Sequence, residues 1–263
     1  MSSRHGAIRR SARAIASIGA AYLIMAAPAG ARAPELKAAQ AIARAQAALK
    51  AKQVHPAIEI LAIQIGKPTF RSDPAAPALL MMLAETSEVY VQGINDRYWK
   101  RSRLDPRSPS WLPYLRKEQR WAAQRYASFQ YFDPRGRYRS DGVAYKLLVN
   151  RFPRHPLAEE AAWRLIPRED DGEHDLSVDP ALIDASRHER FLKQYPRSKY
   201  RLAAKLAIGW DYLYASGFTW GAPDRRRFEK GQRILQGIIK EAPQSPEAQK
   251  ARRFLDKAKN PWH

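Results

Sequence analysis

The chain contains no cysteine. That excludes disulfide frameworks, cysteine zinc sites, iron–sulfur clusters, thiol nucleophiles and a lipid-modified N-terminal cysteine. Histidine is scarce. The six are His5, His55, His155, His174, His188 and His263, and none belongs to a His-Glu-x-x-His run. There is no Gly-x-Ser-x-Gly elbow, no Walker loop and no glycine-rich dinucleotide fingerprint. These absences lead us to expect no catalytic residue, no metal ligand and no cofactor. Acidic residues are missing before Glu35, and no apolar stretch of membrane-spanning length follows the first thirty-odd residues.

What is present is charge of one sign. The 263 residues carry 46 Lys+Arg against 26 Asp+Glu, a formal net charge of +20. Hydrophobic residues make up 45% and include seven tryptophans, enough to bury a core and to exclude disorder. Arg4, Arg9, Arg10 and Arg13 precede an apolar run from Ala14 to Pro28, and Ala29-Gly30-Ala31 fits a small-x-small cleavage site. The pattern is that of a secretory signal, residues 1–31, and predicts a periplasmic protein. Four arginines and no acid lie before the cut, so the charge falls from +20 to +16 and the mature chain stays basic. A periplasmic address argues against nucleic acid and leaves an envelope protein, an acidic peptide segment, peptidoglycan or anionic lipid as partners.

Helical periodicity recurs along the mature chain, over 35–52, 57–66, 78 to about 100, and 111 to about 132, and no sheet is expected. The second half repeats. RFPRHPLAEEAAWRL from Arg151, QYPRSKYRLAAKLAI from Gln194 and EAPQSPEAQKARRFL from Glu241 align on Pro153, Pro196 and Pro243. An amphipathic helix precedes each proline, which cannot continue it. Ser198 and Ser245 stand where the next helix needs an N-cap, and His155 takes that place in the first unit. Ala161, Ala204 and Ala248 are expected where helices cross closely. The fold class expected is all-α: antiparallel helix pairs stacked as a short TPR-like α-solenoid, with a helical region 32–135 before the repeats of 136–263.

The x-Pro-x-Ser-x(2–3)-Ala pattern, with an aromatic before the proline, resembles TPR (Sel1/TPR-type) units of two periplasmic families. One is the TPR lipoprotein of the outer-membrane β-barrel assembly machinery, and the other is the TPR domain of the Tol-Pal-associated cell-division coordinator. The resemblance covers about residues 141–258. It implies a scaffold that binds partner proteins. The sequence departs from it at Ala242, where an aromatic is expected, in lacking a lipobox cysteine, and throughout 32–135.

Residues 97–154 hold fifteen Lys/Arg against four acids, interleaved with aromatics. Arginine stacks on aromatic faces and forks onto carboxylate or phosphate, so such a mixture suits an anionic partner. Arg116, Lys117, Arg120, Trp121 and Arg125 are the binding candidates there. An ordinary basic surface with inward aromatics is the alternative. Trp210 and Tyr214 either pack a helix pair or line a peptide pocket. Glu169, Asp170, Asp171, Glu173 and Asp175 surround His174 in a run that reads as a solvated loop, with docking to the basic region or a Ca²⁺ or Mg²⁺ site as alternatives. The function expected is a periplasmic scaffold or adaptor in cell-envelope assembly or maintenance. The alternatives are a peptidoglycan-binding protein or a peptidoglycan-acting enzyme, with Glu85 as its nominal acid.

Overall fold

The alanine-rich segment Ala38–Lys50 forms α1, which buries Ala38, Ala41 and Ala45 on one face. Lys52, in the left-handed region at φ 60°, closes it, and the Gln53 N–H returns to the Ala48 carbonyl. Pro56 sits in the first turn of α2 (Val54–Ile65), where its missing N–H costs nothing. A 3-10 turn at Pro68–Ser72 leads into α3 (Ala76–Arg101), whose Leu79, Leu80, Leu83 and Ile94 are fully buried. The next helix is α4 (Leu112–Ala123). This computed structural model describes residues 37–101, 111–132, 137–166, 180–218 and 224–258. The expected signal sequence, the 169–175 acidic run and Trp220 lie outside them.

After Ala123 the structure departs from the expected long helix. Tyr126 turns into the left-handed region at φ 58°, and an antiparallel hairpin follows, β1 (Phe129–Phe132) with β2 (Arg137–Ser140). Phe129 and Tyr138 are buried while Gln130 faces out. Four-residue strands are too short for alternation to stand out in a sequence. What fixes them is distant in the chain. The buried Asn95 side chain on α3 accepts from the Tyr138 N–H at 2.8 Å and donates to the Tyr138 carbonyl at 2.9 Å, completing the outer edge of β2.

The C-terminal half comprises α5 (Val143–Arg151), α6 (Pro156–Leu165), α7 (Pro180–Gln194), α8 (Arg201–Phe218), α9 (Arg225–Glu241) and α10 (Pro246–Lys257). The three proline turns share one hydrogen-bond pattern. Phe152, Tyr195 and Ala242 each donate to the carbonyl four residues back, then accept from the N–H of His155, Ser198 and Ser245. The capping expected at His155 and Ser245 is present, while Ser198 makes the matching bond in the turn just before α8. His155 Nδ1 accepts from Leu157 N–H, Ser198 Oγ from Tyr200 N–H, and Ser245 Oγ from Ala248 N–H. Ala161, Ala204 and Ala248 are all fully buried. The shared turn corrects the third member of that set: the eighth residue after each proline is Ala161, Ala204 and Ala251, and Ala251 is equally buried.

Packing between successive helices joins α1 to α2, α2 to α3, α5 to α6, α7 to α8, α8 to α9 and α9 to α10, and α8 and α9 run antiparallel. On α8 and α9, Lys205 meets Glu241, Gly209 meets Leu235, and Tyr212 meets Lys230. The fold is thus all-α, built from adjacent helix pairs, with one small hairpin among the described residues. Three apolar clusters make up the interior. The largest runs from α1 to α6 and includes the hairpin, a second joins α8, α9 and α10, and a small third around Phe191 and Ala204 joins α6, α7 and α8. Among the described residues no helix is long and apolar enough to cross a membrane.

Candidate functional site

The second helices of the three proline-aligned pairs, α6, α8 and α10, present one face to a common groove. Counting from Pro153, Pro196 and Pro243, the seventh residue is Glu160, Ala203 and Lys250, and the tenth is Trp163, Leu206 and Arg253. The eleventh is Arg164, Ala207 and Phe254, and in the last two units the fourteenth is Trp210 and Lys257. These positions lie three, four and seven apart, so they fall on one side of a helix. All of them line one of two adjoining hollows, of about 630 and about 620 Å³. The hollows meet at Trp163, Asp184 and His188, which line both.

Small residues make the space and aromatics make the floor. Ala203 and Ala207 carry no bulk beyond Cβ, so α8 leaves room between Trp163 and Trp210. Trp210 packs on Phe254 with ring centroids 4.4 Å apart, and Trp163 stacks on Tyr200 at 5.0 Å with the planes 3° from parallel. His188 is held by donation from Nδ1 to the Asp184 carbonyl at 2.8 Å and lies edge-on to Trp163.

Arg164 organises the α3 end. Its guanidinium pairs with Glu160 at 2.8 Å and Glu85 at 3.2 Å and donates to the Tyr145 hydroxyl, which in turn donates to Glu88. Burial works against the Arg164 charge, and the bonds from Glu160 and Tyr145 outweigh it, so the guanidinium stays charged. The hydrogen bond from Arg164 holds the Glu160 carboxyl below the usual range, against the effect of burial. Glu85 is shifted the other way: burial raises it, Arg164 pulls it down, and Glu160 and Glu88 add to the rise. Its side chain is 48% exposed and tied to Arg164 in an ion pair.

A second titratable cluster joins α2, α3 and α4. The Tyr90 hydroxyl donates to Glu118 at 2.5 Å, and His55 Nε2 lies 3.1 Å from the same oxygen. Burial opposes ionisation of Glu118, but the bonds from Tyr90 and His55 prevail and hold its carboxyl below the usual range. Burial, then the bond to Glu118, pushes the Tyr90 hydroxyl up.

The residues singled out from the sequence fall in two places. Arg116, Lys117 and Arg120 are exposed on α4, and Arg116 and Arg120 flank a shallow hollow with Leu112 and Pro113. Trp121 is packed against His55 at 4.4 Å and donates to Glu59, while Arg125 lies over the Trp121 ring and pairs with Glu59. These two are engaged internally. Trp210 lines the groove, and Tyr214, 45% exposed, stands one turn beyond it with ring centroids 6.3 Å apart. Sequence reasoning missed Trp163, Lys250, Arg253, Phe254 and Lys257. The signal was available, since each is the counterpart of another lining residue once the three prolines are aligned. Among the described residues no group of His, Asp and Glu is arranged to hold a metal ion. Comparison with known proteins finds no matching family model and no matching curated protein.

Proposed function

We propose that this chain is a periplasmic, TPR-like scaffold that binds a segment of a partner protein during cell-envelope assembly or maintenance. The observation that carries this reading is the register of the groove. Equivalent positions of three successive helix pairs supply its lining, while the alanines one residue beyond the first of these positions are buried between helices. A surface repeated in this way, floored by Trp163, Trp210 and Phe254, suits an extended or helical segment with apolar side chains. The arginine-led, acid-free N-terminal run and its small-x-small site support export. The shared proline turn and its caps support the TPR-like description.

A photo-cross-linking amino acid placed at Ala203, on the groove floor, tests this in intact cells. The expected result is one discrete envelope-protein adduct that is absent when the same group replaces Gln249, an exposed α10 residue outside the groove lining. Equal labelling from both positions, or recovery of glycan or lipid alone, overturns the reading.

A further inference from the structure

The two walls of the groove differ in how their charges are already used. On the α10 wall Lys250, Arg253 and Lys257 are exposed, and among the described residues they have no hydrogen-bond or ion-pair partner. Their neighbour Arg252, off the groove, is bonded to the Pro243 carbonyl. Two of the three lining carboxylates on that side are committed. Asp184 pairs with Arg187 at 2.9 Å, and Asp211 has a partner of its own. Glu247, in the first turn of α10, has no hydrogen-bond or ion-pair partner among the described residues and offsets one of the three cations. In the adjoining hollow Glu160 is shared by Arg164 and Lys199. Three unpaired cations against one unpaired carboxylate leave the unspent charge facing the groove net positive, and it flanks the Trp210–Phe254 aromatic pair.

We infer that the groove takes an acidic segment of a partner protein, seating bulky apolar side chains on Trp210 and Phe254 and carboxylates on Lys250, Arg253 and Lys257. This rests on the adaptor function proposed above and adds the chemistry of its ligand. Three cations on one helix, three, four and seven residues apart, form a row that matches carboxylates along a segment lying beside α10. Opposite charge across the contact fixes the orientation of the segment. The net positive charge, which stays at +16 without residues 1–31, also speeds the approach of an acidic partner.

The test is fluorescence anisotropy with three labelled peptides that share a Leu-Phe-Leu core, flanked on both sides by glutamate, glutamine or lysine. The glutamate-flanked peptide is expected to bind tightest. The double variant Lys250→Gln/Arg253→Gln should weaken it roughly tenfold, as loss of two exposed charge pairs predicts. The control Arg116→Gln/Arg120→Gln removes the same charge from α4 and should cost under about twofold. All four positions are exposed, so the folds should survive, and circular dichroism checks that. Equal loss in both doubles makes the effect one of net charge and overturns the inference. So does glutamine-flanked binding as tight as glutamate-flanked binding. In that last case Ala203→Trp, which fills the groove without removing packing, separates the two ideas. If it abolishes binding, the groove still serves a partner and only the charge assignment falls. If binding persists, both fall. Absence of binding by every peptide also overturns the inference, and cross-linking from Ala203 then decides the adaptor function by itself.

Discussion

Asn95 on α3 serves the backbone of Tyr138 on β2 in both directions, taking its N–H and giving to its carbonyl. The side-chain amide stands in for a neighbouring strand. A two-stranded hairpin has two open edges, and this contact ties one of them to the core. Asn95→Ala leaves both Tyr138 groups buried and unpaired. The expected cost is roughly 2–4 kcal/mol, read from urea unfolding. Asn95→Asp keeps only the acceptor and buries a charge, so it should be no better than alanine. A change within a few tenths of a kcal/mol would show that the hairpin does not depend on this contact.

Gly231 should not accept alanine. A Cβ there would lie 2.8 Å from the Gly209 oxygen and 2.9 Å from the Leu213 nitrogen, and backbone cannot give way as a flexible side chain can. Overpacking costs about 1–3 kcal/mol, more than the ~1 kcal/mol of helix propensity that alanine returns. Gly237, on the same helix, has nothing within 4 Å of its would-be Cβ. Gly237→Ala should therefore raise stability by up to ~1 kcal/mol. Thermal melts of the two variants should move in opposite directions.

Acid should weaken the α2–α3–α4 junction through Glu118. Its folded-state carboxyl is held below the ordinary range, so its contribution is present above the unfolded value and is lost as pH falls through the folded one. Tyr90→Phe removes one of the two hydrogen bonds that set this shift. The variant should lose less stability than the parent on going from neutral to acidic pH. Parallel acid-unfolding curves would show that Glu118 is not the group responsible.

Glu85 carries the opposite sign. Its carboxyl is raised in the folded state, by burial first and by Glu160 and Glu88 in addition, so its charge is a small liability at neutral pH despite Arg164. Glu85→Gln should be neutral or stabilising by under about 1 kcal/mol at neutral pH, discounted for solvent screening. Any gain should fade as pH falls and the parent carboxyl takes up its proton. A marked loss at neutral pH would mean that the Arg164 pair outweighs the burial.

The helix pairs of the C-terminal half were legible because proline, cap and small residue recur at fixed intervals, and each does a local job. The turn pattern at Phe152, Tyr195 and Ala242 needs no aromatic before the proline, which is why the Ala242 departure leaves the geometry unchanged. The hairpin was not legible. Its anchor is a single asparagine 43 residues away, and no short-range pattern announces it. Trp121 illustrates a second blind spot. An aromatic on a basic helix looks the same in sequence whether it faces a ligand or an internal histidine, and here it meets His55 and Glu59. The groove positions repeat at the same intervals from the three prolines as the buried alanines, so they too are readable from the sequence.

Ser198 does more than order the turn before α8. Its hydroxyl donates to Glu159 on α6 at 2.8 Å, and the Lys199 N–H donates to the same carboxylate oxygen, so the turn between α7 and α8 is fastened to the preceding pair. Among the described residues Ser245 makes no such bond to α8. The terminal pair, α9 with α10, instead relies on the separate apolar cluster it shares with α8 and on Glu241, bonded to Arg201 and Lys205. Stability in stacked helix pairs is local and passes through nearest neighbours. Amide protons of α9 and α10 should therefore exchange earlier than those of α7 and α8. The basic wall of the groove thus sits on the part of the molecule with most to gain in order when a ligand arrives, and occupancy should register as slowed exchange at that end.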